Sequence, residues 1–300
     1  MVISVSRRCD IPRFAFGWFL ERLDAGFVEV KNPFNPHLIR RVSLLPPAPG
    51  RPEAESAELF AFWTRDPAAI LEHAEELEAR GYGFYVMCTL TNYPVILEPN
   101  TPQFEAVIQK MRRIAQKITP DRVFWRYDPV FLSNITDFDF HRGNFANLAA
   151  RLNGAVKRVI VSVYDEYSRA EKRLARLEQN GSLKRPAHYS PGEKSPLPSV
   201  PGSFVLGPIV RNLLAELAQI ARGEGMEIQS CAEEDLSDCG IKSGACIDGE
   251  YIEKYFGLPK TGRDPGQKRP FCRCAQSVDI GSYGPCPAGC VYCYALTAWI

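Results

Sequence analysis

The sequence predicts an α/β protein, a TIM-like full or partial (β/α) barrel carrying a Cys-rich C-terminal extension. Three observations lead there. Over the first 180 residues, short apolar runs rich in Val, Ile, Phe and Tyr alternate with amphipathic segments, the rhythm of βα units around a mainly parallel sheet. The length of 300 residues suits one large barrel-sized domain with an appendage. Eight of the ten cysteines fall after position 230, where the periodicity gives way to Gly-rich and Cys-rich chain.

In chain order, strands are expected at about 2–6, 26–31, 58–63, 84–90, 122–126, 157–163 and 226–231. Asp66-Pro67 opens a helix, with Pro in the first turn and Ile70, Leu71, Ala74 and Leu77 on its inner stripe, and Gly81 ends it. Thr101-Pro102 opens another, on which Phe104, Val107, Ile108, Met111, Ile114 and Ile118 recur at helical spacing. Further helices are expected at about 13–24, 143–152, 166–179 and 211–222. Six prolines between Gly181 and Pro208 forbid regular structure and mark a surface insertion, and Pro46–Pro52 is a loop for the same reason. The expected division is therefore a barrel-like domain over 1–231, with the Pro-rich insertion at 181–208, and a Cys-rich region over 232–300 packed on the barrel mouth. That last region shows little periodicity beyond Tyr251–Phe256, so hydrophobic burial alone cannot hold it, and a metal centre would explain its order.

Thirty-six Lys and Arg against 35 Asp and Glu leave a formal charge of +1, without the overall basic field of a broad nucleic-acid or anionic-membrane binder. Two arginines, Arg7 and Arg8, precede any apolar stretch of signal-peptide length, and no run of about 18 apolar residues occurs, so a soluble cytoplasmic protein is expected. No G-x-S-x-G, Walker loop or helix-opening G-x-G-x-x-G is present, which removes serine hydrolase, P-loop and classical dinucleotide readings. His37, His73, His141 and His188 are scattered and read as structural or exposed.

Clustered thiols on a long chain of this kind point to metal rather than disulfides. Cys286-Pro287-Ala288-Gly289-Cys290-Val291-Tyr292-Cys293 has the spacing C-x3-C-x2-C with an aromatic before the third cysteine. Three such thiolates can wrap one face of a four-iron cluster and leave the fourth iron open to a ligand. A zinc site needs four closed ligands, which Cys272 and Cys274 could help supply. Cys231, Cys246, Cys272 and Cys274 could together hold a second iron–sulfur cluster or a zinc, with Cys239 as a substitute. Cys88, inside an apolar strand, reads as a small hydrophobe.

The octet 286–293 resembles the cluster loop of the radical S-adenosylmethionine superfamily. The resemblance implies a 4Fe-4S cluster on Cys286, Cys290 and Cys293, S-adenosylmethionine on its open iron, one-electron cleavage to a 5′-deoxyadenosyl radical, and an electron donor such as ferredoxin or flavodoxin. In that superfamily the loop follows the first barrel strand, whereas here it lies within the last fifteen residues. Because the last and first units of a closed ring are neighbours, the loop can still reach the mouth. Over nearly its whole length the chain also resembles a prokaryotic domain-of-unknown-function family with such a C-terminal cysteine cluster. The carrying words are Ser6–Pro12, Val30–Pro33, Phe62–Pro67, Trp125–Pro129, Cys231–Glu234, Val278–Gly281 and Cys290–Ala295. The word Tyr292-Cys293-Tyr294-Ala295 is similar to loops in radical DNA-photoproduct lyases, which keeps a modified base beside a small molecule as a substrate class.

Active sites of α/β barrels lie at the C-terminal strand ends. The candidate catalytic residues there are Arg8, Asp10, Lys31, Arg65, Arg126 and Asp128, whose guanidinium forks suit a carboxylate or phosphate; the competing reading is Arg–Asp pairs that organise loops. Candidate cofactor-binding residues are Tyr292, which can shield a cluster, and Glu233 and Glu234, which can hold an amino group or simply begin a helix.

Overall fold

The structure is a computed structural model that describes residues 1–33, 35, 37–186, 206–267 and 269–297. In chain order its strands are β1 (Val2–Val5), β2 (Phe27–Lys31), β3 (Ile39–Ser43), β4 (Leu59–Thr64), β5 (Gly83–Thr89), β6 (Val123–Val130), β7 (Arg158–Val163), β8 (Glu227–Cys231), β9 (Lys242–Gly244) and β10 (Val278–Asp279). The α-helices are α1 (Ile11–Phe14), α2 (Phe16–Ala25), α3 (Ala68–Ala79), α4 (Phe104–Ile118), α5 (Phe138–Leu152), α6 (Ser168–Gln179), α7 (Pro208–Gly223) and α8 (Gly249–Phe256).

Eight strands form one parallel sheet in the order β10-β1-β4-β5-β6-β7-β8-β9. Apart from β10, the spatial order follows the chain, as in a barrel. The last strand lies beside the first, with Ile3 opposite Val278 and Ser4 opposite Asp279. The sheet ends at β9 and β10, which do not pair with each other among the described residues, so it is an open sheet and not a closed ring. The expected strand at 26–31 exists but is no βα unit: β2 pairs antiparallel with β3 in a separate ribbon, where Val28 and Val42 are buried and Glu29 and Arg41 exposed. That alternation marks a ribbon covered on one face only.

The two faces of the parallel sheet carry different cores, because successive side chains point to opposite sides. Phe60, Phe62, Phe84, Val86, Cys88, Trp125, Val159 and Val161 pack against α2 to α7. Leu59, Ala61, Trp63, Tyr85, Met87, Phe124 and Ile160 face the other way, against Ile247, Tyr251, Ile252, Cys231, Cys246, Cys272 and Cys274. With all the long helices on one side, the second face is covered by the irregular C-terminal chain. A continuous apolar strand such as β4, buried at all six positions, is what two covered faces require.

Helix signals are displaced only slightly. Asp66 Oδ1 accepts from the Ala68 amide at 3.1 Å, so it caps α3 with Pro67 between them. The expected helix at 13–24 is two pieces meeting at Ala15, the first capped by Asp10. Residues 187–205 of the Pro-rich insertion lie outside the described residues. No helix among the described residues is long and apolar enough to cross a membrane.

Candidate functional site

The loop that follows β10 brings Cys286, Cys290 and Cys293 to the end of the sheet where β1, β4 and β5 finish. Its backbone is held from three sides. Buried Arg173 of α6 donates Nε to the Val291 carbonyl (2.8 Å), Nη1 to that of Leu296 (3.1 Å) and Nη2 to that of Cys293. The Leu97 carbonyl accepts from the Val291 amide at 3.0 Å, and Asn100 Nδ2 donates to the Pro287 carbonyl at 2.8 Å. Gly289, at φ +65°, turns the loop against Pro99, where a side chain would meet that ring.

Tyr292 points inward. Its hydroxyl bonds Glu98 and accepts from Arg65 Nη2 at 2.6 Å, and Arg65 also pairs with Glu98 at 3.0 Å. This closed triad borders Cys290. Burial opposes charge on Arg65, yet Cys290 and Glu98 hold its pKa well above its ordinary value. Burial pushes the Cys290 thiol up to about 12, and burial also raises Cys286. The three thiols sense one another's charge without forming a bond between themselves. A cavity of ≈ 500 Å³ opens beside the triad, lined by Arg65, Thr89, Thr91, Tyr93, Glu98 and Gln103 among others.

β10 is fixed by Asp279, whose buried carboxylate accepts from Ser4 Oγ (2.6 Å), Ser6 Oγ (2.7 Å), the Arg7 amide (2.8 Å) and the Gly281 amide (3.0 Å). Tyr294 Oη donates to the Arg7 carbonyl at 2.7 Å, and its ring lies 5.1 Å from that of Tyr167. Farther along the strand ends, Arg126 pairs with Asp128, which also accepts from Ser162, and Arg269 pairs with Asp165. Glu233 Oε1 accepts from the Val163 amide at 2.9 Å; burial, reinforced by Asp165, raises its carboxyl to about 8. The preceding residue, Ala232, takes the left-handed φ of 58°, a costly conformation that turns the chain sharply after Cys231.

The expected site residues therefore separate. Arg65 and Tyr292 meet at the cysteine loop, while Arg126, Asp128 and Glu233 gather at the ends of β6 to β8. Arg8 and Asp10 serve the scaffold: Arg8 donates to the Gly281 carbonyl at 3.1 Å, and Asp10 caps α1 and accepts from the Arg65 amide at 2.8 Å. Glu234 turns away to Arg211 (2.7 Å) and the Leu206 amide (2.9 Å). Lys31 ends the exposed β2–β3 ribbon, outside the parallel sheet, because its strand is not a barrel strand. Cys231, Cys246, Cys272 and Cys274 converge on the second face.

Sequence reasoning passed over Glu98, Arg173 and Arg269, and it quoted Asp279 only within the word Val278–Gly281, without a role. Each matters through a partner 100 or more residues away, which spacing cannot reveal. Cys9, quoted only within the word Ser6–Pro12, lies near Cys286. His141, by contrast, is the buried structural histidine expected of it: Nε2 donates to the Phe131 carbonyl at 3.0 Å, and Nδ1 therefore accepts from the Tyr127 hydroxyl at 2.8 Å.

A parallel α/β sheet with a three-cysteine loop at the end of its strands defines the class. The chain belongs to the family described as Domain of unknown function (DUF1848), which it matches over residues 2–295. No curated protein matches it. Among solved structures it is similar to a spore photoproduct lyase mutant in which a cysteine is replaced by serine, at 14% identity and TM-score 0.38, over 57% of this chain and 48% of that one. The same values hold for the lyase complexed with dinucleoside spore photoproduct and for a double mutant with bound AdoMet and that dinucleoside. The chain thus spans about half the length of the solved structures it matches.

Proposed function

We propose that this protein is an iron–sulfur enzyme of the radical S-adenosylmethionine type, with a 4Fe-4S cluster on Cys286, Cys290 and Cys293. The observation that carries the reading is the cysteine loop itself: three neighbouring thiols that make no bond to one another, on a backbone whose carbonyls are tied down by buried Arg173. Three thiolates on one short loop suit a four-iron cluster, which takes one cysteine per iron and leaves the fourth iron to another ligand.

When bound, that cluster supplies the electron that cleaves S-adenosylmethionine. The chain's own residues prepare the surroundings. Arg65 places a fixed cation beside Cys290, which favours the thiolate that burial otherwise disfavours. Tyr292, with Phe131 stacked 6.0 Å away, excludes water from the inner side of the loop. Glu233, whose carboxyl burial raises to about 8, offers a group that an adjacent ammonium would ionise. The substrate on this reading is a small molecule or a modified base.

The test is anaerobic purification and cluster reconstitution, followed by electron paramagnetic resonance of the reduced protein. The expected result is a four-iron signal that changes on addition of S-adenosylmethionine, with reductive cleavage supported by reduced flavodoxin and lost in Cys290→Ala. A cluster signal indifferent to S-adenosylmethionine would leave a structural or electron-transfer centre and overturn the enzymatic reading.

A further inference from the structure

We infer that Cys231, Cys246, Cys272 and Cys274 form a second metal site, a closed tetrathiolate that binds one divalent ion, most simply zinc, independently of the three-cysteine loop. The four come from separate places: the end of β8, the turn after β9, and two positions in the irregular chain before β10. All four are buried at 8% exposure or less. Cys231 Sγ lies 3.1 Å from Cys246 Sγ, Cys246 also engages Cys274, and Cys274 engages Cys272, so the thiols form one connected group. All ten cysteines of the chain are free, and these four are not paired as disulfides.

Direct sulfur–sulfur contact separates this group from the cysteine loop. Four thiolates on one ion at about 2.3 Å stand about 3.8 Å apart along each tetrahedral edge. Among the described residues no three such side chains already stand at the spacing of one ion; Cys231 and Cys246, at 3.1 Å, are closer than a tetrahedral edge and have to part by several tenths of an ångström to admit it. A four-iron cube would have to force them much farther apart, in a pocket already closed by Tyr85, Met87 and Ile247.

A second observation points to a charged occupant. A divalent ion on four thiolates leaves two net negative charges, and three guanidinium groups lie near it, each also paired with a carboxylate: Arg126 with Asp128, Arg269 with Asp165 and Arg7 with Asp279. Arg126 and Arg269 both face Cys231, and Arg7 faces Cys274 and Cys246. The Nε atoms of Arg126 and Arg269 are buried and have no hydrogen-bond partner. An unsatisfied buried donor is costly, and a thiolate that accepts from it removes the cost. Four neutral thiols give these donors nothing to match, whereas a tetrathiolate does.

Such a site also answers a question of stability. The chain between α8 and β10 has almost no regular structure, yet it covers the apolar second face of the sheet. A metal that ties this chain to β8 would hold it there, as structural zinc does in small domains.

The test is metal analysis and zinc-edge X-ray absorption on the full chain, isolated without iron reconstitution. The expected result is one zinc per chain with four sulfur neighbours at about 2.3 Å. Cys274→Ser should lower the zinc content at least tenfold. The triple variant Cys286→Ala, Cys290→Ala, Cys293→Ala should keep it. Absorption on the unsubstituted protein does not depend on whether the Ser variant folds. Absence of any metal, a coordination shell of nitrogen or oxygen, or a second iron–sulfur signal lost with Cys274→Ser would overturn the inference. None of these outcomes bears on S-adenosylmethionine binding at the other site.

Discussion

A single buried arginine does the most to shape the cysteine loop. Arg173 gives three donors to three loop carbonyls, and no other side chain offers a planar fork that can serve them together. Arg173→Met keeps much of the volume but orphans those acceptors, at a cost of about 3 kcal/mol or more. Arg173→Lys should recover little of it. The expected outcome is a folded protein that retains less than half its iron after reconstitution, read by iron analysis beside circular dichroism. His141 makes a second prediction at this scale. Burial lowers its pKa from 6.5 to about 4, opposed by the hydrogen bond to the Phe131 carbonyl and by Asp137. The unfolded chain takes up the proton near pH 6.5 and the folded chain does not, so this group's stability is complete above pH 6.5. It is lost as pH falls toward 4, at roughly 1.4 kcal/mol per pH unit. Urea midpoints of the wild type should fall over that window, and those of His141→Gln should fall less. Equal slopes would place the acid sensitivity elsewhere.

Among the elements, the contrast between long and short strands shows what a sequence makes legible. The runs at 59–64, 83–89 and 158–163 are long, apolar and bounded by turn residues, and they were readable within a residue or two. β9 and β10 have three residues and two, too few for any periodicity, and β10 is a strand only because Asp279 gathers four donors from β1 and the turns around it. β2 misled for the opposite reason: its composition is that of a strand, but only the partner β3 decides that it leaves the main sheet and takes Lys31 with it. The three-cysteine motif was legible because its cysteines are local, whereas the Arg65–Glu98–Tyr292 triad depends on contacts across the chain. If Asp279 is what makes β10 a strand, Asp279→Ala should free both β10 and the cysteine loop. The expected cost is about 3 kcal/mol, with faster amide exchange confined to residues 277–297 and β1. Uniform exchange across the sheet would mean that the pairing does not rest on this carboxylate.

At the scale of the whole molecule, the two faces of the sheet differ in what holds them. The helical face has one continuous apolar core, into which the cysteine loop inserts Cys290, Val291 and Tyr292. The other face is closed by chain that contributes one eight-residue helix, four clustered thiols and little else regular. Ordering such chain costs about 1–2 kcal/mol of backbone entropy per residue, and the apolar side chains available there are few. If the cysteines hold metal as proposed, its binding contributes to that stability, because a ligand that binds only the folded state raises that state's stability by mass action. Removal of metal by chelation under reducing conditions should then unfold the molecule in two stages. Exchange at residues 257–267 and 269–297 should rise first, by at least tenfold, while β4 to β7 with α3 to α5 stay protected up to the global transition. Hydrogen-exchange mass spectrometry on metal-loaded and metal-depleted protein reads both regions at once. A single cooperative loss of protection would mean that the C-terminal chain is an integral part of one core, and that its cysteines matter for chemistry alone.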